Sequence, residues 1–180
     1  MKVPTQYKWL SKVGELPLVI QVGLKLLGVA EVVGAGSNGT IIGWRDELNL
    51  AGVKISGFSD DDVPWCGLFA AIVAHRAKKS VVKNPLWARN WEKFGVKSKR
   101  AGLGDCLVFV RNGGGHVGWY IAEDADAYHV LGGNQGNEVS IARIAKNRCV
   151  AIRRPQYNVV PASVKAYQVG ASGSLSMNEA

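Results

Sequence analysis

The chain changes its hydrophobic period about halfway along, and this constrains its architecture more than any other feature. Before residue 95 the apolar positions recur at helical spacing. Leu68, Phe69, Ile72 and Val73 follow Pro64 in this way, and Trp87 and Trp91 lie one turn apart. Beyond residue 104 short apolar runs alternate with clusters of Gly and Asn, the pattern of strands joined by tight turns. Helices are expected at about 17–27, with Pro17 in the first turn and Gly28 as stop, and at 40–48 after Ser37 or Asn38 as cap. Two more are expected at 64–78 and 85–94. Strands are expected at 105–110, 116–122, 127–131 and 148–153. Helices first and an antiparallel meander second make an α+β fold, with N-terminal helices packed on an antiparallel sheet. From residue 158 the period is lost. The expectation is one domain over 1–157 and a tail or extension over 158–180.

A length of 180 residues with 47% apolar side chains supports one ordinary core. The net charge of +8 favours anionic partners such as envelope polymers. The densest basic stretch, Lys97 to Arg100, is short and reads as a solvated loop, so nucleic acid is not an expected partner. Cys66, Cys106 and Cys149 are odd in number and far apart, which argues against a disulfide framework. There is no CxxC pair for zinc. Asp60, Asp61 and Asp62 lack the alternation of a calcium loop and read as caps, so no metal or cofactor is expected. The apolar stretch Leu16 to Val33 is interrupted by Lys25, Glu31 and glycines, which speaks against membrane insertion. The N-terminus has no signal-peptide pattern. Gly34 to Gly39 fits GxGxxG, but Trp44 and Arg45 follow where close helix packing is needed, and no strand–helix alternation accompanies it; it reads as a loop near a cleft.

Two residues carry candidate chemistry. Cys66, in Pro-Trp-Cys-Gly, falls at an expected helix start, where the partial positive charge favours a thiolate nucleophile. The competing reading is a buried structural cysteine, and Cys106 and Cys149 are read as such. His116 follows three glycines and opens an apolar strand, a suitable place for a general base at a cleft; otherwise it is a turn histidine. Trp65, beside the cysteine, is the candidate for contacting substrate.

In order, the chain carries Trp-Cys at a helix start, Gly-Asp-Cys-Leu-Val-Phe, Gly-His-Val-Gly-Trp-Tyr, Gly-Gly-Asn-Gln and Ile-Arg-Arg-Pro. Gly-Ala-Gly-Ser-Asn and Trp44 precede them. Over about residues 16 to 155 this order resembles the papain-like cysteine peptidases of bacterial cell walls, the NlpC-type and CHAP-type superfamily, and a phage-associated subgroup in particular. The resemblance implies a papain-like α+β fold and an endolysin-like hydrolase of peptidoglycan amide bonds, made in the host cytoplasm and released to the wall or carried in a virion. A non-catalytic virion or wall-binding module and an interbacterial effector amidase are the alternatives. The resemblance also implies a third residue orienting the imidazole: Asn134, with His129 as rival, although His129 is out of phase with Val130 and reads as solvent-facing. The Cys66 N–H is one expected oxyanion donor, with Gln6, Asn38 and Asp62 as candidates for the second.

Overall fold

The protein is described from a computed structural model, which covers residues 3–111, 113–171 and 173–176. Three α-helices precede a six-stranded sheet: α1 (Leu18–Leu24), α2 (Gly39–Leu50) and α3 (Cys66–Arg76), then β1 (Val96–Lys97), β2 (Cys106–Arg111), β3 (Gly114–Glu123), β4 (Ala127–Gly132), β5 (Ser140–Ala145) and β6 (Cys149–Arg154). The strand order is β1-β6-β2-β3-β4-β5, with every neighbouring pair antiparallel. This is the α+β arrangement the change of period implies.

Helix α3 is apolar on every side because it is enclosed on every side. Every residue from Cys66 to Ala74 is buried. Ala70, Ala71 and Ala74 keep its surface shallow enough for α1, α2 and β3 to pack closely around it. This cluster fills one face of the sheet and includes Val108, Val117, Trp119 and Ile121. Leu107, Phe109, Tyr120, Val130 and Ile144 form a smaller cluster on the other face. The alternation along β2 and β3 divides the two sets, as the two-residue strand period requires.

Several boundaries differ from expectation for local reasons. Pro17 caps α1 rather than entering it, and the helix loosens into turns that end at Gly28, whose φ is +80°. Residues expected as a helix over 85–94 form a 3-10 turn, Ala88–Lys93. β5 is an added strand, and its Ile141 and Ile144 do not alternate strictly. The segment expected as a tail is docked on the body. Leu103 N–H donates to Lys165 O, Glu123 N–H to Tyr167 O and Val169 N–H to Glu123 O, while Tyr167 stacks on Trp9 at 4.8 Å. Two motif pieces are joined by a structural ion pair: Arg154 donates to both oxygens of buried Asp105, at 2.9 and 2.8 Å. Burial pushes the Asp105 carboxyl above its ordinary range, partly offset by Arg154.

Candidate active site

Cys66 is the first residue of α3. Its neighbour Gly67 is required by close packing: a Cβ there would lie 2.2 Å from Pro85 O and 2.6 Å from Leu86 O. Trp65 occupies the cap position, so the helix begins at the cysteine rather than at Pro64. The expected acidic caps serve elsewhere. The Asp61 carboxylate accepts the N–H groups of Asn38 (2.8 Å) and Val32 (3.1 Å), which closes the glycine-rich loop between them. Burial works to raise the Asp61 pKa, but those two N–H groups prevail and hold it below its ordinary value.

The strand ladder explains how the cysteine comes to lie beside the strand that carries the histidine. Tyr120 N–H donates to Asp105 O on the β2 side, so by alternation Val117 N–H points to the opposite side, toward β4. Pairing of β3 with β4 runs only from Trp119 to Glu123. The sheet is therefore open beside Val117, whose N–H works to lower the Cys66 pKa from there. Cys66 thus lies against the backbone of the residue that follows His116. Burial pushes its pKa up. The Val117 N–H, the Arg111 charge and the first N–H groups of α3 oppose this without cancelling it. Burial therefore favours the thiol over the thiolate expected at the helix start, and Cys66 is 4% exposed.

His116 is fully buried, directly opposite Phe109 on β2. The residue that holds its ring is Gln135, not Asn134. Gln135 Oε1 lies 3.0 Å from His116 Nε2. Gln135 Nε2 donates to Val130 O (3.1 Å) and Ser140 O (2.7 Å), which uses both amide hydrogens and leaves the carbonyl facing the ring. His116 Nε2 therefore carries the proton, and Nδ1 is the basic nitrogen of the neutral imidazole. Asn134 turns the chain instead. Its φ of +57° is one that asparagine tolerates, its side chain is buried, and its Oδ1 has no hydrogen-bond partner among the described residues. The two glycines of Gly-Gly-Asn-Gln make room for this geometry. A Cβ at Gly132 would lie 2.4 Å from Gln135 Oε1, and one at Gly133 would lie 2.5 Å from the Trp65 ring.

His129 is far from solvent and far from this role. Its Nε2 donates to Asp124 Oδ2 at 2.9 Å, and its Nδ1 accepts from Tyr7 Oη at 2.7 Å. Arg143 completes the cluster on Asp124 at 2.7 Å. The Arg143 bond holds the Asp124 carboxyl far below the usual carboxylate range, against its burial.

Trp65 does not offer its face to a cleft. It is wholly buried beside Trp44, and its Nε1 donates to Glu31 Oε1 at 2.5 Å. Residues 28–31 pair with the strand entering β5: Gly28 N–H donates to Val139 O and Glu31 N–H to Asn137 O. Trp65 thereby fixes the N-terminal segment against the turn that carries Gln135. Of the expected oxyanion donors, Asn38 is committed to Thr40 N and Ala30 O. Gln6 bonds Tyr7 in the His129 cluster. Asp62 is exposed. The first N–H groups of α3 remain the donors beside the sulfur. Cys106 is wholly buried and Cys149 partly so, and burial raises both thiols. Among the described residues no group of His, Cys, Asp and Glu could hold a metal ion, and no helix is long and apolar enough to cross a membrane.

Compared with family models, curated proteins and solved structures, the chain matches none.

Proposed function

We propose that the chain is a cysteine-dependent hydrolase of papain-like type that cleaves an amide bond of bacterial peptidoglycan. The observation that carries this reading is the meeting of Cys66, at the head of a buried helix, with the β3 backbone next to His116, whose outer nitrogen is fixed by Gln135. In this reading His116 Nδ1 takes the thiol proton as sulfur attacks the amide carbonyl. The Cys66 and Gly67 N–H groups stabilise the oxyanion, and the imidazolium then protonates the leaving amine. A thioester remains. Water, deprotonated by His116, cleaves it, which releases the acid and restores the thiol. Gln135 keeps Nε2 protonated and the ring oriented throughout. Because the resting sulfur is a thiol, proton transfer accompanies attack rather than preceding it. The Gly-His-Val-Gly and Gly-Gly-Asn-Gln signatures, which resemble the cell-wall peptidases, supply the substrate class. The +8 charge suits an anionic envelope, with anionic wall polymers as secondary partners. An endolysin-like role, acting from the host cytoplasm or from a virion, follows from the same likeness.

One observation favours a different reading. With Cys66 only 4% exposed, its burial suits a non-catalytic wall-binding module that retains the fold. A zymogram with embedded sacculi separates the two. A clearing band from the wild type that is lost in Cys66→Ser supports the hydrolase. Retention of protein on sacculi without clearing supports the binding module.

A further inference from the structure

A cation on the strand next to the candidate base has no acid paired with it among the described residues. Arg111 ends β2 and pairs with Gly114, while the next opposed pair on the same face is Phe109 and His116. Arg111 and His116 therefore share one face of the hairpin, one step apart diagonally. Glycine at 114 leaves that step open. The atom that a Cβ there would approach is Arg111 Nε, at 3.8 Å. Arg111 Nε is itself buried without a hydrogen-bond partner among the described residues. From there the Arg111 charge works to lower the Cys66 pKa. The other arginines at this end of the sheet are occupied. Arg89 pairs with Glu92, and Arg148 donates to Val110 O.

A buried guanidinium N–H without an acceptor is costly to maintain, and its best complement is a carboxylate, which it binds through a planar fork. We propose that Arg111 is the specificity residue of the site and receives a free carboxylate of the substrate next to the scissile amide, so that acidic stem peptides are preferred over their carboxamide forms. The proposal rests on Cys66 being the reacting thiol and goes further in naming the charge of the substrate.

Two alkylating reagents of nearly equal size test it without any cell wall. Iodoacetate carries the carboxylate and iodoacetamide carries the amide. Both transfer a carbon to sulfur with loss of iodide, and peptide mapping assigns the adduct to Cys66. The expected ratio of iodoacetate to iodoacetamide rates at Cys66 exceeds that of free glutathione, by about tenfold for one charge-assisted contact. Arg111→Gln should bring the ratio down to the glutathione value, and Arg111→Lys should keep part of the preference. If Arg111→Gln slows both reagents equally and leaves the ratio unchanged, the cation acts only on the thiolate and the proposal is overturned. A wild-type ratio at or below that of glutathione, or no adduct at Cys66 with either reagent, overturns it without any variant. The proposed hydrolase fails separately. A high ratio in a protein that does not digest sacculi would leave the carboxylate site standing and remove the wall-degrading activity.

Discussion

His116 and His129 lie on adjacent strands, and both are completely buried, yet they are built for different tasks. His129 sits between a phenol and a carboxylate, and the carboxylate is already matched by Arg143. Each ring nitrogen has a fixed partner and the charges close among themselves, so the cluster ties the N-terminal turn to the sheet and has nothing to exchange with a substrate. His116 meets a neutral amide at Nε2 and shares its face of the hairpin with Arg111, which has no acid paired with it among the described residues. A neutral orienter leaves the imidazole free to gain and lose a proton. If the proposed function holds, burial alone does not separate a structural histidine from a reactive one. The charge balance of the neighbours does.

The largest effect that would break this contrast is on turnover. His116→Ala should lower sacculus digestion by about two to four orders of magnitude, the worth of general acid–base catalysis, while thermal unfolding changes little by comparison. Asp124→Asn should do the opposite. It leaves Arg143 without its buried partner and should cost about 3–5 kcal/mol, a fall in Tm of roughly 10 °C, with turnover per folded molecule retained. Calorimetry beside a rate assay on both variants decides, and an Asp124→Asn protein that is fully stable yet inactive would reverse the two assignments.

A smaller effect is expected at the orienter. Gln135→Leu removes one buried hydrogen bond from the imidazole and should lower kcat by about ten- to a hundredfold, with KM little changed. Gly132→Ala should act in the same direction, because its methyl group would displace Gln135 Oε1. Asn134→Gly keeps the left-handed turn and should be nearly silent in kcat. A severe loss in Asn134→Gly with a mild one in Gln135→Leu would restore Asn134 as the third member of the site.

The smallest effect concerns acid. Asp124 is held below its unfolded value, so it contributes stability that is fully present above about pH 4 and is lost as the pH falls through the folded value. The wild type should therefore lose more stability between pH 4 and pH 2 than Asp124→Asn does, as followed by urea midpoints. Equal slopes for the two proteins would remove Asp124 from the acid response.

Much of the backbone around Cys66 and His116 was legible because its signals are local. A proline and tryptophan before Cys66 mark a helix start, and the glycine run before His116 marks a hairpin. The residue that meets the His116 ring is Gln135, one place after the Asn134 expected there. Asn134 and Gln135 are both polar, but the asparagine is spent on a left-handed turn and the longer glutamine side chain reaches back to the ring. An asparagine after two glycines is itself the sign of a turn, which could have pointed to the residue behind it. The burial of Trp65 and the task of Asp61 were not legible. One depends on Glu31, Trp44 and Gly133, the other on Val32 and Asn38, all distant in sequence. His129 read as solvent-facing because Tyr7, the phenol that covers its Nδ1, comes from the far end of the chain. β5 escaped notice because its two isoleucines lie three residues apart, a helical spacing in a strand.

The central claim is that Cys66 cleaves an amide of the wall, and mass spectrometry of purified sacculi after incubation with the protein tests it most directly. The account predicts soluble muropeptides carrying one new amine and one new carboxylate per cut, formed by the wild type and absent with Cys66→Ser at equal folded concentration. The same products from Cys66→Ser, or sacculi left intact by a folded wild-type protein, would contradict it.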